Sequence, residues 1–109
     1  MPTLKMQAVV SALALLGLAF PQFAPAADAA TVVISGFAFA PASLTVTAGT
    51  TVVWTNKDDE VHSVAGEHGL FRSGALDTGE HFSFRFDKPG TYQYACTLHT
   101  RMTGTIIVK

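Results

Sequence analysis

The sequence predicts an all-β sandwich, on three observations. Beyond residue 30 the apolar spacing is two rather than three and a half, the runs are short, and Gly or Pro turns separate them at regular intervals. Thr31-Val32-Val33-Ile34-Ser35 and Phe37-Ala38-Phe39 read as one strand broken at Gly36, and Pro41 ends it. Ser43 to Thr47 alternates Leu44 and Val46 with hydroxyls, and Ala48-Gly49 turns the chain. Thr51 to Asn56 forms a third strand, with Val52 and Trp54 as core, closed by the polar turn Lys57-Asp58-Asp59. Val61 to Ala65 is expected to be a short fourth strand carrying His62. Residues 66–78 hold three glycines and read as a long loop anchored by the Leu70-Phe71 pair. Glu80 to Asp87 places Phe82, Phe84 and Phe86 on one face, with Ser83 and Arg85 on the other. After the Pro89-Gly90 turn, Tyr92, Tyr94 and Cys96 share a strand face, and Ile106-Ile107-Val108 lies in the last strand.

The amino-terminal part reads as an export signal. Lys5 precedes a largely apolar region up to Phe20, and Ala24-Pro25-Ala26 offers small residues to a signal peptidase. Residues 1–26 are the expected signal peptide, with cleavage after Ala26 or as late as Ala29, and residues 27–109 are one domain. The apolar region is shorter than the ~20 residues of a bilayer span and is interrupted by Pro21, so the mature form is expected to have no membrane segment.

Composition narrows the function. Seven Lys and Arg stand against eight Asp and Glu, and without a basic run or stripe nucleic acid is not an expected partner. The chain has one cysteine, so no internal disulfide can reinforce a domain of about 80 residues with a thin stability margin. A lone thiol in an oxidising compartment tends to oxidise or cross-link chains unless something occupies it. A bound metal would do so, and would stabilise the fold by mass action.

The cysteine has the right company. Cys96-Thr97-Leu98-His99-Thr100-Arg101-Met102 joins two strand-like runs. A thiolate, an imidazole and a thioether thus share one tight connection, with His62 as the candidate for a second imidazole. Soft sulfur with borderline nitrogen suits copper, and trigonal His₂Cys with a long axial Met is an electron-transfer arrangement. His68, in the irregular loop, and His81, at the start of the Phe-rich strand, read as non-ligands. A buried apolar cysteine and a generic core Met102 are the bland alternatives, but their coincidence in Cys-x-x-His-x-x-Met is hard to sustain. Cys96 with His99 as a thiol enzyme lacks a third orienting group and an oxyanion hole, so no enzyme is expected.

These residues resemble the small blue copper proteins, the cupredoxins, and within them the amicyanin subgroup, whose short ligand loop has the Cys96-x-x-His99-x-x-Met102 spacing. The likeness extends through Ile34 to Pro41, Val53 to Asn56, Val61 to Val64, Phe86 to Cys96 and Met102 to Ile106. It implies a cupredoxin-like Greek-key β-sandwich of about seven to eight strands. It also implies one type 1 copper ion on His62, Cys96, His99 and Met102, and a periplasmic monomer that docks transiently with redox partner proteins. By the same likeness His99 is the solvent-exposed ligand, and the N–H of Ser63 bonds the Cys96 sulfur. Leu98 and Thr100 stand where the subgroup usually has proline, and Ser63 where asparagine commonly follows the first histidine. The alternative function is copper binding or delivery without redox cycling.

Overall fold

A computed structural model describes residues 28–109. The amino-terminal signal reading lies outside the described residues. Two four-stranded sheets face each other. One has the order β2-β1-β4-β6 and contains β1 (Ala29–Ser35), β2 (Ala38–Ala40), β4 (Thr50–Asn56) and β6 (His81–Phe86). The other has the order β3-β8-β7-β5 and contains β3 (Ser43–Val46), β5 (Ala65–Gly66), β7 (Gly90–Ala95) and β8 (Thr103–Val108). β1 pairs in parallel with β4, and β3 with β8. A parallel pair cannot be closed by a tight turn, so the chain crosses between sheets repeatedly, and this produces the Greek key. Sequential strands pair directly only as β1 with β2 and β7 with β8.

The alternation read in the sequence becomes an inside and an outside. In β4, Thr50, Val52, Trp54 and Asn56 point inward. Trp54 is fully buried, with Phe71, Phe82, Phe86 and Tyr94 around its ring at centroid distances of 5.3–6.4 Å. Ile106 and Val108 of β8 close the opposite side. The close approach of the last two strands depends on Gly104, which pairs with Tyr94. A Cβ there would overlap the Tyr94 ring, so glycine is required for the lack of a side chain rather than for backbone freedom.

Three sequence expectations need correction. His62 is not on a regular strand. It exchanges main-chain hydrogen bonds with Leu76 alone (2.7 and 3.1 Å), and the strand proper begins at Ala65. The pairing partner comes from the irregular segment, which no local periodicity reveals. Phe37 is not in a strand either, because Gly36 and Phe37 both have positive φ (63° and 58°) and form the turn between β1 and β2. Finally, the Leu70-Phe71 pair is split. The chain turns through the 3₁₀ segment Glu67–Gly69 and returns so that Gly66 N–H bonds the Phe71 carbonyl at 2.9 Å. Only Phe71 then packs on the core, while Leu70 is 47% exposed.

Candidate metal centre

The centre is assembled from two connections at one end of the sandwich. The first, residues 96–102, joins β7 to β8 and is closed by two main-chain hydrogen bonds. The Cys96 N–H bonds the Met102 carbonyl at 3.0 Å, and the Met102 N–H bonds the His99 carbonyl at 2.8 Å. Cys96 and Met102 are therefore fixed side by side where the paired strands part, and both are buried. The second connection follows β4 and carries Asp58, His62 and Ser63.

Three of the four residues singled out from the sequence offer donor atoms to one point. The ligating atoms of His62, Cys96 and His99 all lie within 4.8 Å of one another, the one such grouping of His, Cys, Asp and Glu found among the described residues. Cys96 Sγ stands 3.6 Å from His99 Nδ1 and 3.9 Å from His62 Nδ1. Met102 is buried at the foot of the same loop. His68 and His81 lie outside the group.

The histidine chemistry follows from its partners. The other ring nitrogen of His62, Nε2, is 2.8 Å from Asp58 Oδ2. An ionised carboxylate can only accept, so Nε2 carries the proton and Nδ1 is left with a free lone pair directed at the sulfur. Asp58 stays ionised readily. The Phe37 N–H it accepts, together with the Gly36 N–H and the His62 ring, holds its carboxyl below the ordinary carboxylate range against the cost of burial. Asn56, fully buried, holds this segment in place. Its side-chain amide donates to the carbonyls of Glu60 (2.8 Å) and Leu76 (3.0 Å), and its Oδ1 accepts the Asp58 N–H (2.9 Å).

The sulfur is prepared for a metal as well. Burial pushes the Cys96 thiol up, but hydrogen bonds from the His99 imidazole, the Ser63 N–H at 3.3 Å and the Leu98 N–H outweigh it and bring it from 9.0 down to about 6. The group is therefore a thiolate at neutral pH, the form that binds metals. Ser63 does more than the resemblance implied. Its hydroxyl accepts the Thr97 N–H at 2.9 Å and pairs with Thr97 Oγ1 at 2.7 Å, so one short side chain ties the two connections together.

Asp58, Asn56 and the Ser63–Thr97 link were not identified as parts of the site by sequence reasoning. The one available signal for Asp58 was an acidic cluster, Asp58-Asp59-Glu60, shortly before a candidate metal-binding histidine. It could not say which carboxylate reaches the ring.

A thiolate and two imidazoles with their ligating atoms gathered within 4.8 Å, and a thioether residue buried at the foot of the same loop, fit a soft or borderline metal ion. A β-sandwich with such a centre defines the blue copper class. The chain matches the Cupredoxin-like domain family over residues 8–108. It is 33% identical over 88 residues to amicyanin from Paracoccus versutus, spanning 76% of this chain and 67% of that protein. It is 39% identical over 84 residues to plastocyanin from Scenedesmus fuscus, spanning 65% of this chain and 86% of that one. Among solved structures, a purple cupredoxin from Nitrosopumilus maritimus superposes with a TM-score of 0.70 at 30% identity, covering 73% of this chain and 99% of the other. The chain belongs to the cupredoxin family, the electron-transfer blue copper proteins, and its cofactor is copper.

Proposed function

We propose that this protein is a periplasmic carrier of single electrons between redox partner proteins, with one copper ion held by His62, Cys96, His99 and Met102. The observation that carries the reading is the convergence of Cys96 Sγ with the Nδ1 atoms of His62 and His99 from two separate connections. Bound copper supplies the one-electron Cu(I)/Cu(II) couple. The chain's own residues hold the donors still. Asp58 fixes the His62 tautomer, Ser63 and Leu98 direct N–H groups at the thiolate, and Ser63 with Thr97 braces one connection against the other. A site that moves little between two oxidation states exchanges electrons with a low barrier.

His99 is the route in and out. His62 and Cys96 are fully buried, whereas His99 reaches partial exposure, with Phe37 (48% exposed) and Leu98 (54%) beside it. An apolar rim around one conducting edge suits brief docking by a monomer with a small net charge. We read the protein as a carrier rather than an enzyme, the Cys96 thiolate and both imidazoles being taken up by the metal centre.

Export is part of the same reading. Residues 1–26 serve as the signal peptide, and cleavage after Ala26 is preferred over cleavage after Ala29. The Asp28 carbonyl accepts the Thr51 N–H at 3.0 Å and Ala29 pairs with Thr51, so the later cut would remove part of the β1–β4 ladder.

The test is expression of the full chain in a Gram-negative host with copper supplied. A coloured periplasmic protein with intense thiolate-to-copper charge transfer and a reversible one-electron wave is expected. Cys96→Ser should be colourless. Colourless wild-type protein carrying tightly bound Cu(I) and giving no wave would favour copper delivery instead.

A further inference from the structure

The turn between β1 and β2 holds an unusual residue. Gly36 and Phe37 both have positive φ, the primed hairpin geometry that favours Gly, Asn and Asp at its two central positions. A bulky apolar residue is disfavoured there by its backbone, and at 48% exposure it gains little from burial. Something else must hold Phe37 in place, and two sets of contacts do.

The first set is to the backbone. The Asp58 carboxylate accepts the Gly36 N–H on Oδ1 at 2.7 Å and the Phe37 N–H on Oδ2 at 2.8 Å. That same Oδ2 also accepts from His62 Nε2. One carboxylate thus clamps the turn to the buried imidazole.

The second set is to the ring. Phe37 does not enter the core. It stands edge-on to His62 (centroids 5.0 Å, planes at 89°) and to His99 (4.9 Å, 82°), and the two imidazoles are 4.9 Å apart. Three rings therefore form a closed triangle with edge-to-face contacts, the geometry aromatic pairs prefer. His62 has Asp58 to fix its orientation as well. His99, on the exposed side of its loop, has the Phe37 ring.

We propose that Phe37 is a positioning residue for the metal centre. Clamped in its turn by Asp58, its ring wedges against both imidazoles and sets the tilt of His99, so that the donor stays in place when the oxidation state changes. This rests on the reading of His62 and His99 as ligands. The motion of His99 in metal-free protein tests the wedge without that assumption.

The decisive variant is Phe37→Gly, since glycine accepts the turn's backbone angles and fold stability should not fall. Phe37→Tyr keeps the ring and serves as the rescue, and Asp58→Asn weakens the clamp. In metal-free protein, NMR relaxation of the His99 ring should report a rigid imidazole in wild type and Phe37→Tyr, and a mobile one in Phe37→Gly, with Asp58→Asn between. In copper-loaded protein, the electron self-exchange rate of Phe37→Gly should fall about tenfold, with broadened electron paramagnetic resonance lines from a spread of site geometries. An equally rigid His99 ring in Phe37→Gly and an unchanged self-exchange rate would overturn the proposal. Wild-type protein without a copper spectrum would instead overturn the ligand reading, and would do so before any Phe37 variant is compared.

Discussion

The N–H of Ser63 points at Cys96 Sγ across 3.3 Å, while the hydroxyl of the same residue is bonded to Thr97, the neighbour of that cysteine. One residue therefore tunes the sulfur and braces the loop that carries it. Ser63→Ala keeps the backbone donor and removes the brace. It also removes the longer approach of the hydroxyl to the sulfur, at 3.8 Å. A thiolate with less hydrogen bonding donates more charge and favours the oxidised metal. The reduction potential is expected to drop, on the order of tens of millivolts, and stability to fall by about 1–2 kcal/mol. Voltammetry and thermal melts check the two effects separately, and an unchanged potential would remove the hydroxyl from the tuning.

The Cys96 thiol gives a pH signature in metal-free protein. Its folded value, about 6, lies below its ordinary value of 9.0. Folding is therefore favoured by ionisation, and the contribution is complete above pH 9, shrinks as the pH falls towards 6, and is absent below that. The thiolate ultraviolet absorbance should titrate near pH 6 in the folded chain and near pH 9 in denaturant. The melting temperature of wild type relative to Cys96→Ser should rise from pH 6 to pH 9. A flat difference would show that the thiol is not coupled to the fold.

Asn56 offers a contrast between buried and exposed polar groups. Asn56→Ala takes the side-chain partner from the Glu60 carbonyl and the Asp58 N–H, and one of two donors from the Leu76 carbonyl, at the base of the segment carrying Asp58 and His62. The expected cost is about 2–4 kcal/mol, or roughly 10–20 °C in melting temperature. It should be measured without metal so that binding does not mask it. Arg85→Ala breaks an ion pair whose side chains are 61% and 65% exposed, and should change stability by less than about 1 kcal/mol. Equal effects from the two substitutions would refute the role given to Asn56.

The sequence on its own determined the sandwich and its core, and it marked the His and Cys donors that the structure groups within 4.8 Å. The strand period of Phe82, Phe84 and Phe86, the inward Trp54 and the Cys96-x-x-His99-x-x-Met102 spacing are local patterns. Local patterns survive folding because neighbours in sequence stay neighbours in space. Tertiary structure alone decided which residues hold those donors. Asp58 bonds the N–H groups of Gly36 and Phe37 more than twenty positions upstream, Asn56 reaches the Leu76 carbonyl, and Ser63 meets Thr97 across 34 positions. The bridge between His62 and Leu76, which replaced the expected strand, is another such case. In each, a hydrogen bond depends on two connections arriving at the same end of the sandwich. That arrival is set by how the sheets cross and face each other, and no short window of sequence encodes it.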